Sequence, residues 1–233
     1  MFEREHHRRV AAVLQALDGE QLCAHRCLFG GGTAIALACG EYRESLDIDF
    51  LVSSIEGYRS LRLLLGSAAG IGAITRPGQA LTQARDMRID QYGIRTLVLV
   101  DAVAIKFEIV LEARIEIEPP GAADLICGVA TLNALDRITT KLLANSDRWR
   151  DDAVQSRDLI DLAMMNPPKN LLQLALAKAR LAYGHSVEAD LSKAVQHLRE
   201  RPHRLDHCMQ ALRMTSVPKA MLWMRMKALL RAL

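Results

Sequence analysis

The sequence predicts an α+β protein, with a mixed sheet and flanking helices in the first half and a helical C-terminal region after it. Three observations carry this. Between Arg26 and Leu111, short apolar stretches alternate with a period of two or run apolar, as strands do. From Leu132 onward, apolar residues recur three and four positions apart, the spacing of one helix face. Pro119-Pro120-Gly121 stands between the two patterns and is the best candidate for a boundary. The expected division is therefore an αβ core over residues 1–120 and a helical domain over residues 121–233.

Taken in order, the first nineteen residues read as a helix, because Val10, Leu14 and Leu17 share a face. A short strand from Arg26 to Phe29 runs into Gly30-Gly31-Gly32, which permits a tight turn and close backbone approach. Thr33 then opens a helix over Ala34–Cys39. Leu46–Ser53 is the second strand and Glu56–Ala69 the next helix. Arg85–Tyr92, Thr96–Val100 and Ala104–Leu111 read as strands. Helical spacing follows in Leu132–Ala144, Ala153–Met164, Leu171–Tyr183, Val187–Glu200 and Pro218–Leu233, with Pro167-Pro168 separating two of these helices.

Half of the 233 residues are apolar and 4% are aromatic, so a sizeable, helix-rich core is available. No apolar run approaches membrane-spanning length, and the His- and Arg-rich N-terminus lacks a signal-peptide core, so a cytoplasmic protein with no membrane partner is expected. Five scattered cysteines build no disulfide framework, and Cys23, His25 and Cys27 have no second ligand pair at zinc-site spacing. Charge is uneven. From Asn170 to Leu233 there are eleven Lys or Arg against four Asp or Glu, which suits either a polyanionic partner or solvated faces of amphipathic helices.

The chemistry concentrates between Phe29 and Leu51. Period two in a strand puts Asp47 and Asp49 on one face while Ile48 and Phe50 turn into the core. Two acids that close repel unless a positive charge sits between them, and the simplest occupant is a divalent cation. Gly31, Gly32 and Thr33 open a helix whose first amides suit a phosphate, with the Thr33 hydroxyl as a further donor. An ordinary turn would use the same glycines. Ser45 and Arg43 lie just before the acidic strand, within reach of polyphosphate oxygens, although Arg43 reads equally well as a surface residue.

Gly31-Gly32-Thr33-Ala34 followed by Arg43-x-Ser45-x-Asp47-x-Asp49-Phe50 resembles the first motif of the polymerase-beta-like nucleotidyltransferase superfamily. More closely, it is similar to the AbiEii group, the toxin half of type IV toxin–antitoxin systems. The resemblance covers about residues 25–165 and adds three counterparts: Glu108 in Lys106-Phe107-Glu108-Ile109, Lys141 in Lys141-Leu142-Leu143-Ala144, and Asp158 in the Arg157-Asp158-Leu159-Ile160-Asp161 stretch. It implies a nucleotidyltransferase fold and transfer of an NMP from an NTP, ATP among them, to an acceptor. Asp47, Asp49 and Glu108 would be the Mg2+ ligands, and Glu108 could alternatively take the proton of the attacking hydroxyl. Lys141 would clamp the triphosphate and Asp158 would orient Lys141 or the nucleotide, with Asp161 as the rival acid on the same face. The helical region would complete the nucleotide site. It also implies RNA, a tRNA end included, as acceptor and a separate antitoxin protein as partner. The competing expectations are nucleotidylation of a small molecule such as an antibiotic, and a non-catalytic nucleotide-binding module.

Overall fold

In the computed structural model, which describes residues 2–233, the period-two stretches of the first half become one five-stranded mixed sheet. Helix α1 (Glu5–Ala16) and the short α2 (Gly19–Ala24) lead into β1 (Leu28–Gly30) and α3 (Gly31–Ala38). After β2 (Ile48–Val52) and α4 (Ile55–Leu65) come β3 (Thr82–Ile89), β4 (Gly93–Val100) and β5 (Val103–Leu111). The strand order is β1-β2-β5-β4-β3. Only the β2–β5 pair in it is parallel, which places a strand late in the sequence directly beside the strand that carries Asp49; β2 starts at Ile48 rather than at the expected Leu46, so Asp47 lies just ahead of it.

One face of this sheet is the core. Ile48 and Phe50 of β2 and Ile105, Phe107 and Ile109 of β5 are wholly buried with Val10, Val13 and Leu14 of α1. Phe50 sits between Phe29 and Phe107, with ring centroids 5.6 and 5.5 Å apart, so an aromatic row crosses three adjacent strands. The alternate residues, Asp49 on β2 and Lys106 and Glu108 on β5, therefore belong to the opposite face.

Local chemistry explains several boundaries. Ser54 caps α4 by accepting from the Gly57 amide at 3.1 Å. The helix stops at Leu65 rather than at the expected Ala69, since Gly66 follows and Gly70 takes φ +52° to open a 3₁₀ turn over Gly70–Ile74. The helix expected over Ala153–Met164 starts at Arg157, after Gln155 and Ser156 adopt φ of 55° and 50°.

The chain divides into two compact units, at Asn133/Ala134 rather than at Pro119-Pro120-Gly121. Residues after the prolines form a small hairpin, β6 (Leu125–Ile126) and β7 (Val129–Ala130). Ala130 and Leu132 then pack with Leu28, Leu51 and Ile117, which keeps this stretch in the first unit. The second unit holds α5 (Ala134–Arg148), α6 (Arg157–Met165), α7 (Lys169–Tyr183), α8 (Ser186–Glu200), α9 (Arg204–Ala211) and α10 (Lys219–Arg231). It also claims Cys39–Glu44 from the N-terminal half. No helix among the described residues is long and apolar enough to cross a membrane.

Candidate active site

In the first unit the candidate residues gather around the turn between β1 and α3. Gly31 has φ +65°, and a Cβ placed there would lie 2.5 Å from Asp49 Oδ2 and 2.8 Å from Asp49 Cβ. Only glycine meets both conditions, so the Asp49 carboxylate sits directly against the start of α3. Thr33 secures the second acid. Its side chain is buried, and Oγ1 donates to the Asp47 carbonyl at 2.5 Å while lying 2.8 Å from Ser45 Oγ. The Thr33 hydroxyl, expected to face phosphate, thus ties the approach to β2 onto the helix. Ser45 is held from its other side, its amide donating to Nε2 of the buried His7 at 3.1 Å.

Glu108 stands in register with Asp49 across the parallel β2–β5 pair and with Arg95 across β4–β5. Arg95 Nε donates to Glu108 Oε1 and Lys106 Nζ to Oε2, each at 2.5 Å. Arg95 also binds Asp90 Oδ2 at 2.9 Å. Burial opposes the charge on Lys106, yet the hydrogen bond and charge of Glu108, with Asp49 and Asp47 behind it, raise its pKa. One ammonium therefore senses all three acids singled out in the sequence. Among the described residues no three His, Cys, Asp or Glu side chains converge into a closed metal cage. Glu108, expected as a third metal ligand, has one oxygen on Arg95 and the other on Lys106.

A pair of carboxylates beside backbone amides is a donor set that fits Mg2+. This ion takes one or two protein carboxylates and completes its shell with water and substrate phosphates. Asp47 and Asp49 are both half-buried.

In the second unit the remaining candidates form a buried ionic network. Lys141 Nζ lies 2.9 Å from Asp158 Oδ1 and 2.8 Å from Asp161 Oδ2. Asp158 receives Arg148 Nε at 2.6 Å as well. Arg43 closes its fork on Asp161, with Nε at 2.7 Å from Oδ1 and Nη2 at 2.9 Å from Oδ2, and Tyr42 adds its hydroxyl at 2.6 Å. Arg43, expected near polyphosphate oxygens or at the surface, is 2% exposed and committed to Asp161. The choice between Asp158 and Asp161 dissolves, because both flank the same ammonium.

Burial raises the carboxyl pKa of Asp158, but Lys141 and Arg148 more than reverse it and hold the group well below its usual range. Asp161 is shifted the same way, with burial outweighed by Arg43 and Lys141. Burial, reinforced by the Asp161 charge, pushes the Tyr42 phenol well up. Three cations against two carboxylates leave the network with a surplus positive charge, and the two carboxylates occupy two of the three N–H directions of Lys141.

Sequence reasoning passed over Lys106, Arg95, Arg148, Asp161 as a joint partner, and His7. Arg148 lies seven residues after Lys141 on the same helix, a spacing that signals a shared face. Lys106 alternates with Glu108, so the strand period alone puts the two together. Nothing local signals His7.

The family model for the nucleotidyl transferase AbiEii toxin of type IV toxin–antitoxin systems matches residues 13–225, well beyond the stretch 25–165 that the motifs span. Two solved structures share the fold. One is a candidate nucleotidyltransferase from H. pylori, 16% identical, with a TM-score of 0.50 over 97% of this chain and 93% of that one. The other is JHP933 from Helicobacter pylori, also 16% identical with a TM-score of 0.50, over 99% and 94% of the two chains. A comparison with curated proteins gives no match.

Proposed function

Because the chain belongs to the AbiEii nucleotidyltransferase toxin family, we propose that it moves an NMP from an NTP to a hydroxyl of an RNA acceptor, a tRNA end included, with pyrophosphate leaving. The observation that supports this most strongly is the contact of Asp49 with Gly31, which brings an acidic strand against the first amides of a helix. Amides there hold a polyphosphate, and adjacent carboxylates hold the cation that accompanies it.

In this reading Asp47 and Asp49 hold Mg2+, which when bound neutralises the polyphosphate and polarises the phosphoryl group under attack. Gly31 and Gly32 offer backbone N–H groups to phosphate oxygens, while Thr33 and Ser45 fix where Asp47 stands. In the second unit Lys141, held by Asp158 and Asp161, is the cation suited to a phosphate oxygen. Glu108 accepts the proton of the acceptor hydroxyl. Lys106, 45% exposed at its side chain, is the partner placed to swing off one oxygen while Arg95 keeps the other oriented. A separate antitoxin protein is the natural counterpart of such a toxin.

The test is incubation with α-labelled NTPs, Mg2+ and total RNA. Label enters RNA with the native chain and not with Asp47→Ala, whose thermal melt stays within about 1 °C because the lost carboxylate serves the ion. A protein that binds NTP and labels no RNA overturns the reading.

A further inference from the structure

Helix α10 carries on one side a groove of about 760 Å³ lined by Arg199, Ala220, Trp223, Met224, Lys227 and Arg231. The lining carries three positive charges and no acid. A second groove of about 210 Å³ includes Arg231 again and adds Lys169, so the cations follow one another as a track across the helix. Among the described residues, Lys169, Arg199, Lys227 and Arg231 have no carboxylate partner. The acids closest in sequence are engaged elsewhere, since Glu200 accepts from Gln196 at 2.6 Å and Asp206 pairs with Lys219 at 2.6 Å. Four like charges left unpaired around two adjoining grooves, Lys227 and Arg231 from α10, Arg199 from α8 and Lys169 from α7, repel each other, and a bound polyanion relieves them. The groove also holds apolar surface: Trp223 is half-buried in its wall and Met224 is 63% exposed. Cations flanking an aromatic ring are the means by which proteins hold single-stranded nucleic acid, phosphates on the charges and a base on the ring.

We infer that the two adjoining grooves along α10, edged by Arg199 of α8 at one end and Lys169 of α7 at the other, are a docking track for single-stranded RNA. This deepens the proposed function, resting on its RNA acceptor and assigning where that acceptor is gripped away from the reacting end. The length of the track favours a polymer over a mononucleotide, because two adjoining grooves share one arginine.

The experiment is anisotropy of a labelled single-stranded RNA 12-mer with the full chain, without NTP or metal, across a salt series. Native affinity falls with salt at about 0.7 of a log unit per phosphate contacted, and R199E/K227E flattens that slope by about 1.4 while weakening binding at least tenfold. Trp223→Ala weakens binding about tenfold with the slope unchanged, and Trp223→Phe restores it. All three variants keep native NTP binding and melting curves, and Asp47→Ala keeps native RNA affinity. Native RNA affinity in R199E/K227E overturns the track and leaves the catalytic reading standing. Binding of the native chain to anionic vesicles and not to RNA overturns it as well, in favour of a lipid surface.

Discussion

At the scale of single residues, the same side chains that define the site are held by constraints that leave little freedom. Gly31 is the clearest case, since it needs both a left-handed backbone and an absent Cβ. Gly31→Ala is expected to cost more than the ordinary ~1 kcal/mol of such a change, and to push Asp49 off the turn. Isothermal titration should then show Mg2+-dependent NTP affinity falling at least tenfold, whereas Gly40→Ala, with a positive φ but nothing near its absent Cβ, should leave it unchanged. Asp161 gives a second test. Its removal as Asp161→Asn strands the Arg43 and Lys141 charges in the interior, at about 3–5 kcal/mol near pH 7. The Asp161 carboxyl is held below its ordinary range, so its stabilisation is complete above pH ~4, the unfolded-chain value, and is lost as pH falls through the depressed folded value. Denaturant melts of native and variant chains should therefore converge in acid, and a gap that stays constant from pH 7 to pH 3 contradicts the charge network.

At the scale of elements, β2 serves two ends with its two faces. Ile48 and Phe50 are wholly buried, while Asp49, with Asp47 just ahead of the strand, is on the opposite, half-buried side and is proposed to hold the metal. Phe50→Ala, which breaks the Phe29–Phe50–Phe107 row, is expected to cost about 3–5 kcal/mol and to shift the urea midpoint accordingly. Asp47→Ala should leave that midpoint nearly in place while abolishing transfer, so the two substitutions separate stability from activity. This two-faced strand was legible in the sequence because period two is a local signal. So were α5, α7, α8 and α10, each long enough for its apolar spacing to repeat. The short α2 and α9 span 6 and 8 residues, too few turns for periodicity to register, and the β6–β7 hairpin has two residues a side. The acids of the site were legible as types in a pattern. Their partners were not, because Arg43 and Asp161 lie 118 positions apart and only tertiary folding brings a guanidinium fork to that carboxylate.

At the scale of the whole molecule, the chain is not cut where its sequence changes character. The second unit reaches back for Cys39–Glu44, and this segment supplies two of the three groups that hydrogen-bond or pair with Asp161: the Tyr42 hydroxyl and the Arg43 fork. It also forms the Glu44 amide to Leu212 carbonyl bond at 3.0 Å and the pair of Glu44 with Arg213. A fragment comprising residues 134–233 lacks all of these. Its Asp161 keeps Lys141 alone, and a buried carboxylate with two of its three partners removed costs several kcal/mol, a large part of what a domain of this size holds in reserve. The fragment is therefore expected to melt broadly, with weak amide protection in α6 by hydrogen exchange. Attaching residues 39–44 to its N-terminus through a flexible Gly/Ser linker should restore a cooperative transition, because the linker costs only loop-closure entropy while the segment returns the missing ion pair and hydrogen bonds. The same linked fragment carrying Arg43→Leu should melt as broadly as the bare one. If the bare fragment already unfolds cooperatively with native protection in α6, the segment is dispensable and the network around Asp161 does not hold the second unit together.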